Sequence, residues 1–292
     1  MPLKAILNSL ISGIVSSIFA LGFKFFGPIL IFFSYFSPFP IFIITIYYGL
    51  FGTILSALVS VGVIIFVTST SVGIIFFITN IVPSIIILID KKSTQLSYQN
   101  FISKLTLLNG LFYIAIMRLY SDNINNSIKN FNNYMQENLG KNLLIEKAIL
   151  DIAPAILISS WGLILVLNFI LARKIITKHL NNFKDKILDI ELQPWVIILF
   201  LLFLVPAALF NEENGKWFCS LALIYATPIT IQGIAVIHSI LKRNKRGAFL
   251  IYSFYTIVFF LPFSVPLITA VGVLDHIYSF RGFKKKINSD ID

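Results

Sequence analysis

PFPIFIITIYYGLFGTILSALVSVGVIIFVTSTSVGIIFFITNIVPSIIILI, from Pro38 to Ile89, is an apolar run with no charged residue until Asp90. A soluble core has no use for so much consecutive hydrocarbon, whereas about 20 apolar residues are what a helix needs to cross the ~30 Å interior of a bilayer. The run therefore holds several membrane segments, and its division sets the topology of everything downstream. As one helix, Pro38 to Thr68 would be roughly 45 Å long, too long to cross without severe tilt. The alternative is a hairpin of two short helices turning at Gly49-Leu50-Phe51-Gly52. Charges further along the chain choose between them.

Working outward, 57% of the 292 residues are hydrophobic and 12% charged, and the mean hydropathy is +0.88. Soluble domains carry about twice that charged fraction. In lipid only helices and closed barrels satisfy their own backbone, and solid apolar blocks without two-residue alternation select helices. The expected fold is an all-α, polytopic membrane bundle of about eight to ten helical segments, forming one transmembrane domain over residues 1–292. The net charge of +10 sits on the flanks of apolar blocks, which reads as orientation in the membrane and not as affinity for nucleic acid.

Catalytic patterns are missing. The sequence holds no H-E-x-x-H, G-x-S-x-G or G-x-x-x-x-G-K-[ST], and Asp275 is the only acid inside an apolar block. Ion pumps usually need intramembrane acids, so a self-powered carrier is disfavoured. Cys219 is the single cysteine, and His179, His238 and His276 show no ligand spacing. No enzyme activity, metal or cofactor is expected.

Segment one, Ala5 to Phe23, lies between Lys4 and Lys24 and exceeds the length of a secretory apolar core, so it is expected to stay as an anchor. Ser9, Gly13 and Ser17 recur on it at four-residue steps, beside the row Ser12, Ser16, Ala20. Such rows let helices approach closely in lipid, either inside the protein or as a docking face for a partner. Phe25 to Ser37 is too short to span and too apolar for an exposed loop, and is expected to dip into the membrane.

Positive-inside counting decides the hairpin. With a cytoplasmic N-terminus, Ala5–Phe23 goes out, Phe39–Tyr48 returns, Thr53–Val67 goes out and Val72–Ile89 returns, leaving Lys91 and Lys92 inside. Leu105–Tyr120 then leads to an Asn-rich extracytoplasmic loop at about 121–150, and Ile152–Ala172 returns to a basic loop at about 173–190. Trp195–Phe210 goes out, Phe218–Leu241 returns, and Ala248–Phe280 breaks into a second hairpin at Pro262 and Pro266. Seventeen of the 23 Lys and Arg residues then face the cytoplasm, with both termini. Without the first hairpin, Lys91 and Lys92 would face outward. A bacterial inner membrane is the expected location.

Polar residues inside spans are costly and therefore informative. Asn80, Asn109, Arg118 and Gln232 are the candidate ligand-binding set, each alternatively a helix–helix hydrogen bond. Asp275 and Arg281 read as a charge cluster at the cytoplasmic end of the last helix.

The order S-P-F-P (Ser37 to Pro40), Y-G-L-F-G (Tyr48 to Gly52) and the closing G-V-L-D-H-I-Y-S-F-R (Gly272 to Arg281) resembles the YybS-like family of predicted multipass membrane proteins of unknown function. The resemblance covers most of the chain. Where the closing motif is expected to carry an aromatic such as Trp after its Asp, this chain has His276, Ile277 and Tyr278. The family is similar in turn to the substrate-binding S components of energy-coupling-factor transporters. That resemblance implies a small-molecule pocket opening outward, and a Ser9, Gly13, Ser17 face docking a transmembrane coupling subunit driven by ATPases. The competing expectation is an envelope scaffold or assembly protein whose spans only pack.

Overall fold

The computed structural model describes residues 3–27, 30–92, 96–139, 147–177, 186–210, 212–243, 247–261 and 263–281. Among them there are helices and no strands. Seven are long and apolar enough to cross a membrane, and three shorter apolar ones, Pro194–Leu209, Gly247–Phe260 and Ser264–Tyr278, accompany them. The chain is an all-α polytopic bundle, and its contacts cluster into two compact units, 1–105 with 162–187, and 106–161 with 188–292.

The first unit opens with α1 (Leu3–Phe26), α2 (Ile31–Ser34), α3 (Pro38–Tyr48) and α4 (Leu50–Val67). Gly49 joins α3 to α4 at φ 72° and ψ −148°, a region open to glycine alone. The chain reverses there. The Thr53 hydroxyl donates to that of Thr45 at 2.8 Å, a pair eight residues apart that a continuous helix would hold about 12 Å apart. Gly52 lies so close to α3 that a Cβ would meet Ile44 at 2.7 Å. The expected first hairpin is present.

Its returning arm is longer than expected. Ile31 to Tyr48 is 18 residues of nearly continuous helix, long enough to span on its own, so 25–37 is no separate dip. The S-P-F-P motif explains the irregular turn inside it. Pro38 and Pro40 have no N–H for the carbonyls of Ser34 and Phe36. Tighter bonds take over, Ser37 N–H to Ser34 at 3.1 Å and Phe39 N–H to Phe36 at 3.1 Å. Neighbouring helices supply the remaining donors: Ser16 Oγ to the Ser37 carbonyl at 2.6 Å and Asn168 Nδ2 to that of Tyr35 at 2.8 Å.

The fourth pass is composite: α5 (Thr70–Phe76), a π-turn over Phe77–Ile81, then α6 (Val82–Lys92). Pro83 removes the donor that Thr79 would have received, and the helix widens just before it. Lys24 Nζ, at the far end of α1, reaches the Val67 carbonyl at the end of α4, at 2.8 Å. At the other end Asn8 of α1 meets Tyr48 of α3. These contacts run α1 parallel to α4 and antiparallel to Ile31–Tyr48, the arrangement the charge count requires.

Two long helices contribute to both units: α7 (Tyr98–Leu139) and α8 (Lys147–Thr177). The stretch read as an Asn-rich loop is thus helical as far as Leu139, beyond a kink at Tyr120 (φ −131°, ψ 16°); the rest of that expected loop, up to Lys147, lies outside the described residues. The basic loop also starts later than expected, since α8 continues to Thr177 and buries Arg173, whose guanidinium lies 4.1 Å over the Tyr98 ring. Residues 178–185, Pro262, Lys245–Arg246 and Lys284–Lys286 of the sequence reading lie outside the described residues.

In the second unit α10 (Glu212–Lys242) is central, packed by α9 (Pro194–Leu209), α11 (Gly247–Phe260) and α12 (Ser264–Tyr278). Glycine sets the α10–α12 distance. A Cβ on Gly233 would run into the Ile268 carbonyl oxygen, and one on Gly272 into that of Ile229. Backbones meet this closely only where side chains are missing. α11 ends at Phe260 and α12 begins at Ser264, so the last apolar block divides near Pro262, which lies outside the described residues, while Pro266 sits inside α12.

Candidate functional site

Within the first unit, α1, α3 and the end of α8 enclose a groove of about 590 Å³. Its wall on α1 is one face of the helix: Lys4, Asn8 and Ser12 at four-residue steps, then Val15 and Phe19. Opposite stand Phe39, Pro40, Ile43, Ile44, Tyr47 and Tyr48 of α3, with Ile175 and Ile176 of α8 closing the side. The polar residues gather at one end, where the start of α1 meets the end of α3. Asn8 Nδ2 donates to Tyr48 Oη at 2.7 Å, which leaves the tyrosine proton able to donate. Ser12 is 6% exposed, and its buried Oγ has no hydrogen-bond partner among the described residues. Among the described residues no acid lines the groove and Lys4 forms no ion pair. The chemistry on offer is a set of donors and one positive charge at the mouth of an apolar slot.

The residues singled out in the sequence lie elsewhere. Asn80 is buried in the π-turn, accepting from Ser37 Oγ at 2.8 Å while its amide donates to the Phe76 carbonyl at 3.2 Å and to Thr79 Oγ1 at 2.9 Å. It ties the π-turn to the broken S-P-F-P helix. Asn109 is half-buried and Arg118 exposed, nine residues apart on α7 in the second unit. Gln232, in the same unit, is fully buried and bonded on both amide atoms. The Ser9, Gly13, Ser17 row is filled from within: both serines are fully buried, and a Cβ on Gly13 would meet the Ser56 carbonyl at 2.7 Å and Val59 at 2.8 Å. Because α4 covers it, this row is an internal packing face and not an open docking face.

Asp275 and Arg281 do form a charge cluster at the end of the last helix, and it is buried. They form a buried ion pair, Arg281 Nη2 to Asp275 Oδ2 at 2.8 Å, with side chains 2% and 3% exposed. The chain turns back after α12 through Ser279 (φ 50°, ψ 56°), whose N–H caps the Asp275 carbonyl at 2.8 Å. That turn swings Arg281 inward to donate to the carbonyls of Leu188 at 2.8 Å and Ile190 at 2.6 Å. Gln232 completes the cluster: its Nε2 reaches Asp275 Oδ2 at 3.2 Å and the Gly272 carbonyl at 3.3 Å, and its Oε1 accepts the Leu192 N–H at 2.9 Å. Three pieces of chain, α10, α12 and residues 188–192, are locked by one ionic latch. A charge pair is tolerated here because its polar atoms are largely matched by hydrogen bonds.

Lys4 and Asn8 were absent from the sequence candidates, and Ser12 was read only as part of a small-residue packing row. Their signal was present, a polar row at i, i+4 and i+8 beside the small-residue row, but its meaning needs α3 across from it.

Ten apolar helices, paired hairpins and buried polar ties define a polytopic α-helical membrane protein. The chain belongs to the family described as Predicted membrane protein (DUF2232), whose pattern matches residues 14–276. This agrees with the resemblance carried by the S-P-F-P, Y-G-L-F-G and closing motifs. No curated protein and no solved structure matches the chain.

Proposed function

We propose that this protein is a non-catalytic membrane subunit that holds a small amphipathic molecule in the groove of its first unit. The observation that carries the reading is the groove itself: about 590 Å³, within the 300–1,000 Å³ usual for ligand sites, with polar groups confined to one end. Delivery of that molecule through a transmembrane coupling subunit and its ATPases belongs to the same proposal and rests on the resemblance to S components. Placement in the inner membrane with both termini in the cytoplasm belongs to the proposal too, and is supported by the distribution of Lys and Arg along the chain. Asn109 and Arg118 are further positions for ligand contact in the second unit.

The second reading, a scaffold without ligand, is favoured by a specific observation: Asn80 and Gln232 spend their amides on internal ties. The two readings separate on one experiment. The protein is purified in mild detergent and its bound small molecules are identified by mass spectrometry, alongside an Ile43→Trp variant whose indole fills the slot. A molecule retained by the parent and lost from the variant supports the binding subunit. A parent that carries nothing, with or without co-purifying ATPases, supports the scaffold.

A further inference from the structure

We infer that the groove takes a phosphate-headed acyl lipid, its head at Lys4 and its chain along Val15, Phe19 and Ile43; the inference rests on the groove reading above. Three observations carry it. First, polarity along α1 runs one way, from the Lys4 ammonium through Asn8 and Ser12 to an apolar floor, the order of head, linkage and tail in an acyl lipid. Second, the groups at the polar end donate: the ammonium, the Tyr48 hydroxyl freed for donation by its bond from Asn8, and the Ser12 hydroxyl. Among the described lining residues these donors stand without an acid, which suits an anion, and a phosphomonoester dianion presents only acceptor oxygens. Third, Ser12 Oγ is buried on the groove wall and has no hydrogen-bond partner among the described residues. It lies eight residues below Lys4, about 12 Å along the axis, deep enough to meet an ester carbonyl instead of the phosphate. A choline head would set a quaternary ammonium against Lys4 and is disfavoured by like-charge repulsion.

The test uses the delipidated full-length protein in neutral detergent, with lipid occupancy read by native mass spectrometry. Dioleoyl phosphatidic acid should bind about tenfold tighter than dioleoyl phosphatidylcholine, which corresponds to about 1.4 kcal/mol. Lys4→Gln should bring the two lipids to within about twofold, while Lys4→Arg and the distant control Lys24→Gln keep the preference. Ser12→Ala should weaken both lipids a few-fold without changing their ratio. Equal binding of the two lipids by the parent, or a preference unchanged in Lys4→Gln, overturns the head assignment while leaving the groove as a lipid site. Competition by glycerol 3-phosphate would mean that a soluble phosphate is the occupant and would overturn the lipid assignment. Unchanged occupancy by both lipids in Ile43→Trp would remove the groove as the site, and the proposed function with it.

Discussion

At the scale of single residues, Arg281 is a charge held inside the protein, and its surroundings show what keeps it there. Two backbone carbonyls and the Asp275 carboxylate receive its guanidinium, while Gln232 braces the acid from the other side. Removing one member leaves a buried charge without its partner, which costs about 3–5 kcal/mol in such settings, whereas removing both charges together costs far less. Arg281→Ala should therefore lower thermal stability in detergent more than the double variant Arg281→Gln with Asp275→Asn. Equal loss in the two would show that packing, and not the charge, holds the latch. Gly233 makes a different argument. Since a Cβ there would meet the Ile268 backbone oxygen, Gly233→Ala must push α12 away from α10. A loss of about 1–3 kcal/mol is expected, as for other overpacked sites, measured as a shift of the unfolding midpoint in denaturing detergent.

At the scale of elements, what was legible followed from covalent chemistry and charge. Gly49 and Gly52 marked a turn because glycine reaches backbone angles closed to other residues, and Lys91–Lys92 demanded an even number of passes before them. The first hairpin could be read on those grounds, and the break in the last apolar block from its length and its prolines. Two elements were misread for physical reasons. The stretch 121–139 is poor in strong helix formers, so it read as loop, yet it propagates from an existing helix and escapes the cost of nucleation. Ile124, Ile128 and Phe131 keep a helical spacing within it, and Ile124 packs against the cluster of Tyr113, Met117 and Ile158. Residues 25–37 read as a dip because the stretch is too short to span and too apolar for an exposed loop, whereas Ser16 and Asn168 supply donors that let 31–48 continue as a broken helix. The groove was the least legible part. Lys4, Asn8 and Ser12 have meaning only once α3 is folded back beside α1, and a row of polar residues alone cannot show what faces it.

At the scale of the whole molecule, the account rests on the chain reversing at Gly49. That reversal places Tyr48 beside Asn8, builds the groove, and makes four passes before Lys91. It also brings Lys4, Tyr48 and the end of α8 to one end of the first unit. Single cysteines at Ser93, Ser127, Thr177 and Asn244, in a Cys219→Ser background, report the reversal directly when intact cells are treated with a membrane-impermeant thiol reagent. The account predicts labelling at position 127 alone, with the other three reacting only after the cells are permeabilised. Labelling at position 93 in intact cells would contradict it, since an odd number of passes before Lys91 leaves no place for the Gly49 hairpin or for the groove built on it.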